Sequence, residues 1–178
     1  ALSAGSRVHV LYLTYGDNHE LAYWALRKIP ALTPRQYRSL GETRRKEALK
    51  AMTALGLPSS DLTFLGYPDS GTLRIWSTTW KPGTSRFHAA TGTRSVPYAD
   101  ALTPEAPYNA VSILNNVETV MRSCKPTIVI FPSSLDLNPD HQAAYLFTTA
   151  ALLDLNMTPM RYLYLVHQHY FPLPRFYN

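Results

Sequence analysis

The stretch Thr127-Ile128-Val129-Ile130-Phe131-Pro132-Ser133-Ser134-Leu135-Asp136-Leu137-Asn138-Pro139-Asp140-His141 decides how this chain folds. Its first five residues are β-branched or aromatic and uncharged, which marks a strand. Pro139 suits the first turn of a helix, Asn138 suits the cap before it, and an Ala-rich run continues to Leu153. Arg161 to Val166, with little polar content, reads as the next strand.

The same alternation runs upstream. Arg7 to Thr14 is a strand apolar enough to be covered on both faces, as in a parallel sheet. Thr33 and Pro34 open a helix in which Tyr37, Leu40, Ala48, Met52 and Leu55 recur at helical spacing, and Gly56 and Pro58 stop it. Leu62 to Leu65 is a short strand ended by Gly66, and Asn109 to Cys124 is a helix with an apolar stripe of Val111, Leu114, Val117, Val120 and Met121. Pro68 to about Pro107 shows no period, and residues 75–107 read as a long irregular insertion carrying Trp76, Trp80, Phe87 and Tyr98. The expectation is one α/β domain, a Rossmann-like three-layer α/β/α sandwich on a mainly parallel sheet, interrupted by that insertion.

Composition narrows the function. The 178 residues suit one domain, and 46 % hydrophobic content supplies a core. A net charge of +5 permits an anionic partner, but the basic residues form no block, so nucleic acid is not expected. No apolar run is long enough to span a membrane. The single cysteine, Cys124, rules out an internal disulfide and any multi-cysteine metal site. The absence of GxGxxG, GxxxxGK[ST] and GxSxG removes the main support for dinucleotide binding, P-loop chemistry and α/β-hydrolase chemistry.

Ligands of open α/β sheets bind beyond the carboxyl ends of the strands. Three such exits here carry acidic residues: Thr14 to Glu20 with Asp17 and His19, Gly66 to Gly71 with Asp69, and Asp136 to His141. The last places two aspartates, an asparagine and a histidine in six positions. His141 reads either as a metal ligand with carboxylates behind it or as a surface residue of an ordinary capped helix start. Arg44 and Glu47, at i and i+3, read as a surface ion pair, with Arg45 and Lys46 on a solvated face. His167 and His169 could share one side of a strand continuation, as metal ligands or as packing residues.

Taken together, these segments resemble the PIG-L/LmbE-like family of zinc-dependent de-N-acetylases. RVHVLYLTYGD (Arg7 to Asp17) resembles that family's second strand and its acidic exit. RRKEALKAMTALG (Arg44 to Gly56) resembles its R-x-x-E helix, LGYPDSG (Leu65 to Gly71) its LG-x-x-D turn, and DLNPDH (Asp136 to His141) its D-x-H-P-D-H segment. The resemblance implies a zinc-dependent hydrolase that removes acetyl from an N-acetylglucosamine-type sugar or conjugate. His141 would bind Zn2+, Asp140 would orient the metal site, Asn138 would face the oxyanion, and Asp136 would support a ligand from behind. Arg44, Asp69 and Asp17 would lie at the sugar, with Trp76 in the wall that selects it.

Two departures qualify this. The family's H-P-D-D segment, source of two further zinc ligands and the general base, has no counterpart in the chain. Because the chain opens at Ala1 almost directly on a strand, that segment and its strand are expected upstream, as a missing companion of this domain. Without it, neighbouring strands would keep unpaired edges. Asn138 stands where the family usually has a histidine; an amide can donate a hydrogen bond but cannot act as an imidazole acid. The alternative is therefore an inactive carbohydrate- or partner-binding module of the same fold.

Overall fold

A computed structural model describes residues 5–18 and 32–168. Its elements are β1 (Val10–Thr14), α1 (Pro34–Ala54), β2 (Leu62–Tyr67), α2 (Thr72–Thr78), α3 (Ala110–Cys124), β3 (Ile128–Pro132), α4 (Pro139–Asp154) and β4 (Met160–Tyr164). The fold is mixed α/β, with parallel strands and intervening helices.

Local chemistry explains the helix starts. Thr33 and Gln36 form a reciprocal capping box at α1, with the Thr33 N–H donating to Gln36 Oε1 at 2.8 Å. The Asn109 side chain accepts from Ser112 N–H at 2.8 Å to begin α3, which ends on Lys125 in a left-handed conformation (φ 45°) before Pro126. The stripe of α3 differs from the expected one. Ala110, Ile113, Val117 and Met121 are its buried apolar positions, and Val111 faces out.

The strands make two parallel pairs, β1 with β2 and β3 with β4. Among the described residues no strand has a second neighbour, so the expected continuous sheet is divided. The β1–β2 ladder pairs Tyr12 with Phe64 and then Thr14 with Tyr67, leaving one extra residue on β2. Gly66 sits in this bulge at φ 75°, and a Cβ there would meet Val96 and Tyr98 at 3.0 Å. Burial also falls short of expectation. β1 is only half-buried; β3 buries Phe131 but exposes Ile128 and Ile130, and β4 is exposed throughout.

The core lies between β2, α3, α4 and the long connection. Its enclosed side chains include Leu65, Tyr67, Ile75, Tyr108, Ile113, Phe147 and Leu152. Each large apolar side chain buried this way contributes about 1.5–3 kcal/mol. α4 packs on β3, α2 and α3 and so joins the two strand pairs.

The segment read as irregular from Pro68 to Pro107 contains α2, a two-turn helix too short to display a period. The rest of it is packed rather than splayed. Val96, Tyr98, Ala101 and Ala106 are buried, and Leu102 N–H donates to the Phe64 carbonyl at 2.8 Å. Ala1 to Ala4, His19, Glu20 and His169 lie outside the described residues.

Candidate active site

The exits of β1 and β2 and the start of α4 converge on three carboxyl groups. Asp17, after β1, is fully enclosed. Its Oδ1 accepts from Asp69 N–H at 3.0 Å and its Oδ2 from the Tyr98 hydroxyl at 2.6 Å. Burial pushes its carboxyl up to about 6, against the pull of those two donors, with a smaller upward push from Asp140. Asp140, at the first turn of α4, accepts from the N–H groups of Ser70 and Thr72 and from the Thr72 hydroxyl. Ser70 holds φ at 64°, and Asp140 secures that turn. Asp69 interacts with both of the others. Burial, then the Asp140 carboxylate, then Asp17 push its carboxyl up to about 7.

Asp136 and His141 form the second half of the site. Asp136 is fully enclosed and accepts from the N–H groups of Asn138 (2.9 Å), Val166 (2.9 Å) and His167 (3.1 Å). His141 Nδ1 lies 3.0 Å from Asp136 Oδ2, out of line for a straight hydrogen bond and with no other partner among the described residues. Burial alone would raise the Asp136 carboxyl; His141 and the three N–H groups outweigh it and hold it well below the usual carboxylate range. The His141 and His167 rings lie 5.0 Å apart, and ligand atoms of Asp136, His141 and His167 all fall within 4.8 Å of one another. This set of two imidazoles and a carboxylate could hold a divalent metal ion, and its nitrogen and oxygen donors suit zinc. With Asp136 already accepting from three backbone groups, the imidazoles are the freer ligands.

Other predicted residues take mixed positions. Asn138 caps α4, its Oδ1 accepting from Asp140 N–H (2.8 Å) and His141 N–H (3.3 Å). Arg44 pairs loosely with Glu47 at 3.8 Å, and its Nε lies 3.5 Å from where a Gly16 Cβ would stand, at the β1 exit. Arg45, expected on a solvated face, instead bonds Asp100 at 2.8 Å and lies over the Phe64 ring, because the connection folds back across α1. Trp76 stacks edge-on against Trp80 (4.9 Å) and Phe147 (4.8 Å), which gives it a packing role between α2 and α4. Asp17, expected at the sugar, spends both oxygens inside the protein.

Three contributors escaped sequence reading: Thr72, Tyr98 and His88. Each lies in the stretch without periodicity, and only folding brings it to the acidic group. Beside that group opens a cleft of about 530 Å³ lined by Asn18, Ser70, Gly71, Arg74, Arg86 and His88 among others.

A family model described as PIG-L: GlcNAc-PI de-N-acetylase matches residues 1–152. The chain belongs to the PIG-L family. That membership spans every acidic exit described above and carries de-N-acetylase chemistry as its general activity. No curated protein and no solved structure matches the chain.

Proposed function

We propose that this PIG-L family protein is a zinc-dependent hydrolase that removes the acetyl group from an N-acetylglucosamine-type sugar or sugar conjugate. The observation that carries the reading is the Asp136–His141–His167 group set beside the Asp17–Asp69–Asp140 group at converging strand exits. His141 and His167 would hold the metal, with Asp136 fixing the His141 ring from behind. Zinc bound there would lower the pKa of a water and stabilise negative charge on the amide oxygen.

The chain's own groups would do the rest. Asp69, poised near neutrality, can donate to or accept from a sugar hydroxyl. Asp17 positions Asp69 through its backbone N–H, and Asp140 holds the Ser70–Thr72 turn at the cleft. Arg44 brings a cation to the β1 exit. The Asn138 side-chain NH2 would face the oxyanion while its oxygen caps the helix.

We also propose that the remaining zinc ligands and the general base come from an H-P-D-D segment preceding residue 1. Its strand would pair with strand edges that have no neighbour among the described residues, completing the three-layer sandwich. The division of the sheet and the exposed apolar β3 and β4 support this. The second reading, a binding module without metal chemistry, rests on Asn138 serving α4 as its cap.

The test is acetate release from N-acetylglucosamine conjugates with zinc content measured in parallel. His141→Ala should lose both bound zinc and activity. Unchanged values in that variant would refute the assignment.

A further inference from the structure

We propose that the cleft beside the acidic turn is an oxyanion subsite, in which Arg74 and Arg86 bind a phosphoryl or carboxylate group carried by the substrate sugar. The acetylated sugar rests on the deacetylase reading; the anion is read from the cleft itself.

At about 530 Å³ the cleft has the size of a small-molecule site. Arg74 and Arg86 line it together with Ser70 and Asn18, and no Asp or Glu is among its lining residues. Two cations in a concave surface without a carboxylate focus a positive field into it. Other arginines of this chain are paired: Arg7, Arg44, Arg45 and Arg122 each have a carboxylate at 2.7–3.9 Å. The side chains of Arg74 and Arg86 make no ion pair and donate no hydrogen bond among the described residues. Arg74 is exposed and Arg86 half-buried, so solvent reaches both. A guanidinium matches the oxygens of a phosphate or carboxylate with two parallel N–H bonds.

The backbone carrying these arginines is held. Arg74 lies in the first turn of α2, three residues after Gly71. Arg86 N–H donates to the Tyr108 carbonyl at 2.9 Å, and Tyr108 N–H donates to the Arg94 carbonyl at 2.7 Å, which fastens the Arg86 segment to a fully buried residue. At Gly71 the two elements meet. A Cβ there would lie 3.1 Å from His88 Cδ2 and 2.9 Å from Pro68 Cγ. Burial lowers the His88 pKa, Asp140 opposes this, and Arg86 adds to it, so the Arg86 charge is felt within the cleft lining.

The position of the cleft ties the anion to the sugar. Ser70 and Gly71 line it and follow Asp69 directly in the chain. A sugar held at Asp69 extends a substituent over this turn toward the arginines. The Asp140 carboxylate also acts on this region, but its oxygens are taken up by the N–H groups of Ser70 and Thr72 and by the Thr72 hydroxyl. The net charge of +5 permits an anionic ligand, and this cleft gives it a place.

The test compares three ligands: the glycosyl phosphate of N-acetylglucosamine, N-acetylmuramic acid as the carboxylate, and the uncharged methyl glycoside of N-acetylglucosamine. In the parent protein, kcat/KM for acetate release should favour at least one anion over the methyl glycoside about ten- to a hundredfold, and the preferred anion names the group. In the pair Arg74→Gln and Arg86→Gln that preference should fall to about parity. The pair Arg74→Lys and Arg86→Lys keeps the charges and should retain part of it. No preference in the parent, or an undiminished preference in the Gln pair, overturns the inference. A second readout needs no turnover. The glycosyl phosphate of glucose, which has no acetyl group, should bind the parent more tightly than methyl glucoside in calorimetry, and the Gln pair should lose that difference. If the difference appears while no ligand releases acetate, the deacetylase reading falls and the subsite stands. Equal binding of the two glucosides by the parent overturns the subsite and leaves the deacetylase reading standing.

Discussion

Removing the Asp136 carboxylate should cost this protein more stability than any other single change at the site. In Asp136→Ala, the N–H groups of Asn138, Val166 and His167 lose their common acceptor and His141 Nδ1 loses its neighbour. Hydrogen bonds to a charged group are worth about 1.5–3 kcal/mol each. Val166 and His167 are exposed, so water recovers part of theirs. The net cost is then about 3–5 kcal/mol. At a urea slope of about 2 kcal/mol/M, the midpoint falls by roughly 1.5–2.5 M. Asp136→Asn, which keeps one acceptor oxygen, should cost less. pH gives a second handle. The Asp136 pKa is depressed in the folded state, so its contribution is present above the unfolded carboxylate pKa of about 3.9 and fades as pH falls through the lower folded value. Urea titrations of parent and Asp136→Asn should therefore converge as pH drops from 5 toward 2. An Ala variant within about 1 kcal/mol of the parent, or a parent-to-Asn gap equal at low and neutral pH, would refute the reasoning.

The two raised carboxyls behave in the opposite sense. Asp17 at about 6 and Asp69 at about 7 hold protons that the unfolded chain has released, so stability falls as pH rises from about 4 to 7. Asp69→Asn should flatten that decline, as followed by thermal melts across the range. Tyr98→Phe removes the hydroxyl that donates to Asp17 Oδ2 and leaves a buried oxygen short of its partner. It should destabilise the fold by about 1–3 kcal/mol near neutral pH and move the Asp17 titration further upward, measured by denaturation and by carboxyl NMR.

The sequence exposed whatever depends on neighbours in the chain. Thr33 and Pro34 mark the start of α1, and Asn138 with Pro139 marks that of α4, because caps act within three residues. The acidic exits were visible for the same reason, since each follows a strand directly. What stayed hidden is long-range. The Tyr98 bond to Asp17 spans 81 positions, and the Thr72 bond to Asp140 spans 68. Neither leaves a local pattern. The apolar run Ile128-Val129-Ile130 says strand, but an apolar strand looks alike whether its faces are covered or open. An aromatic such as Trp76 suits a sugar by residue type alone, and its position on the inner side of α2 turns it toward Phe147 instead.

The Asp140 bridge fastens the turn after β2 to the first turn of α4, so it links the strand pair on one side of the site to the helix that packs on the other. A small molecule that binds at this junction binds the folded chain only, where both sides are in place. Mass action then adds about 2.7 kcal/mol of stability at a hundred times the dissociation constant, and the melting temperature rises with ligand concentration. That makes heat resistance a reporter for substrate discovery. A panel of acetylated amino sugars and divalent ions can be ranked by the warmth each lets the protein withstand, before any product is assayed.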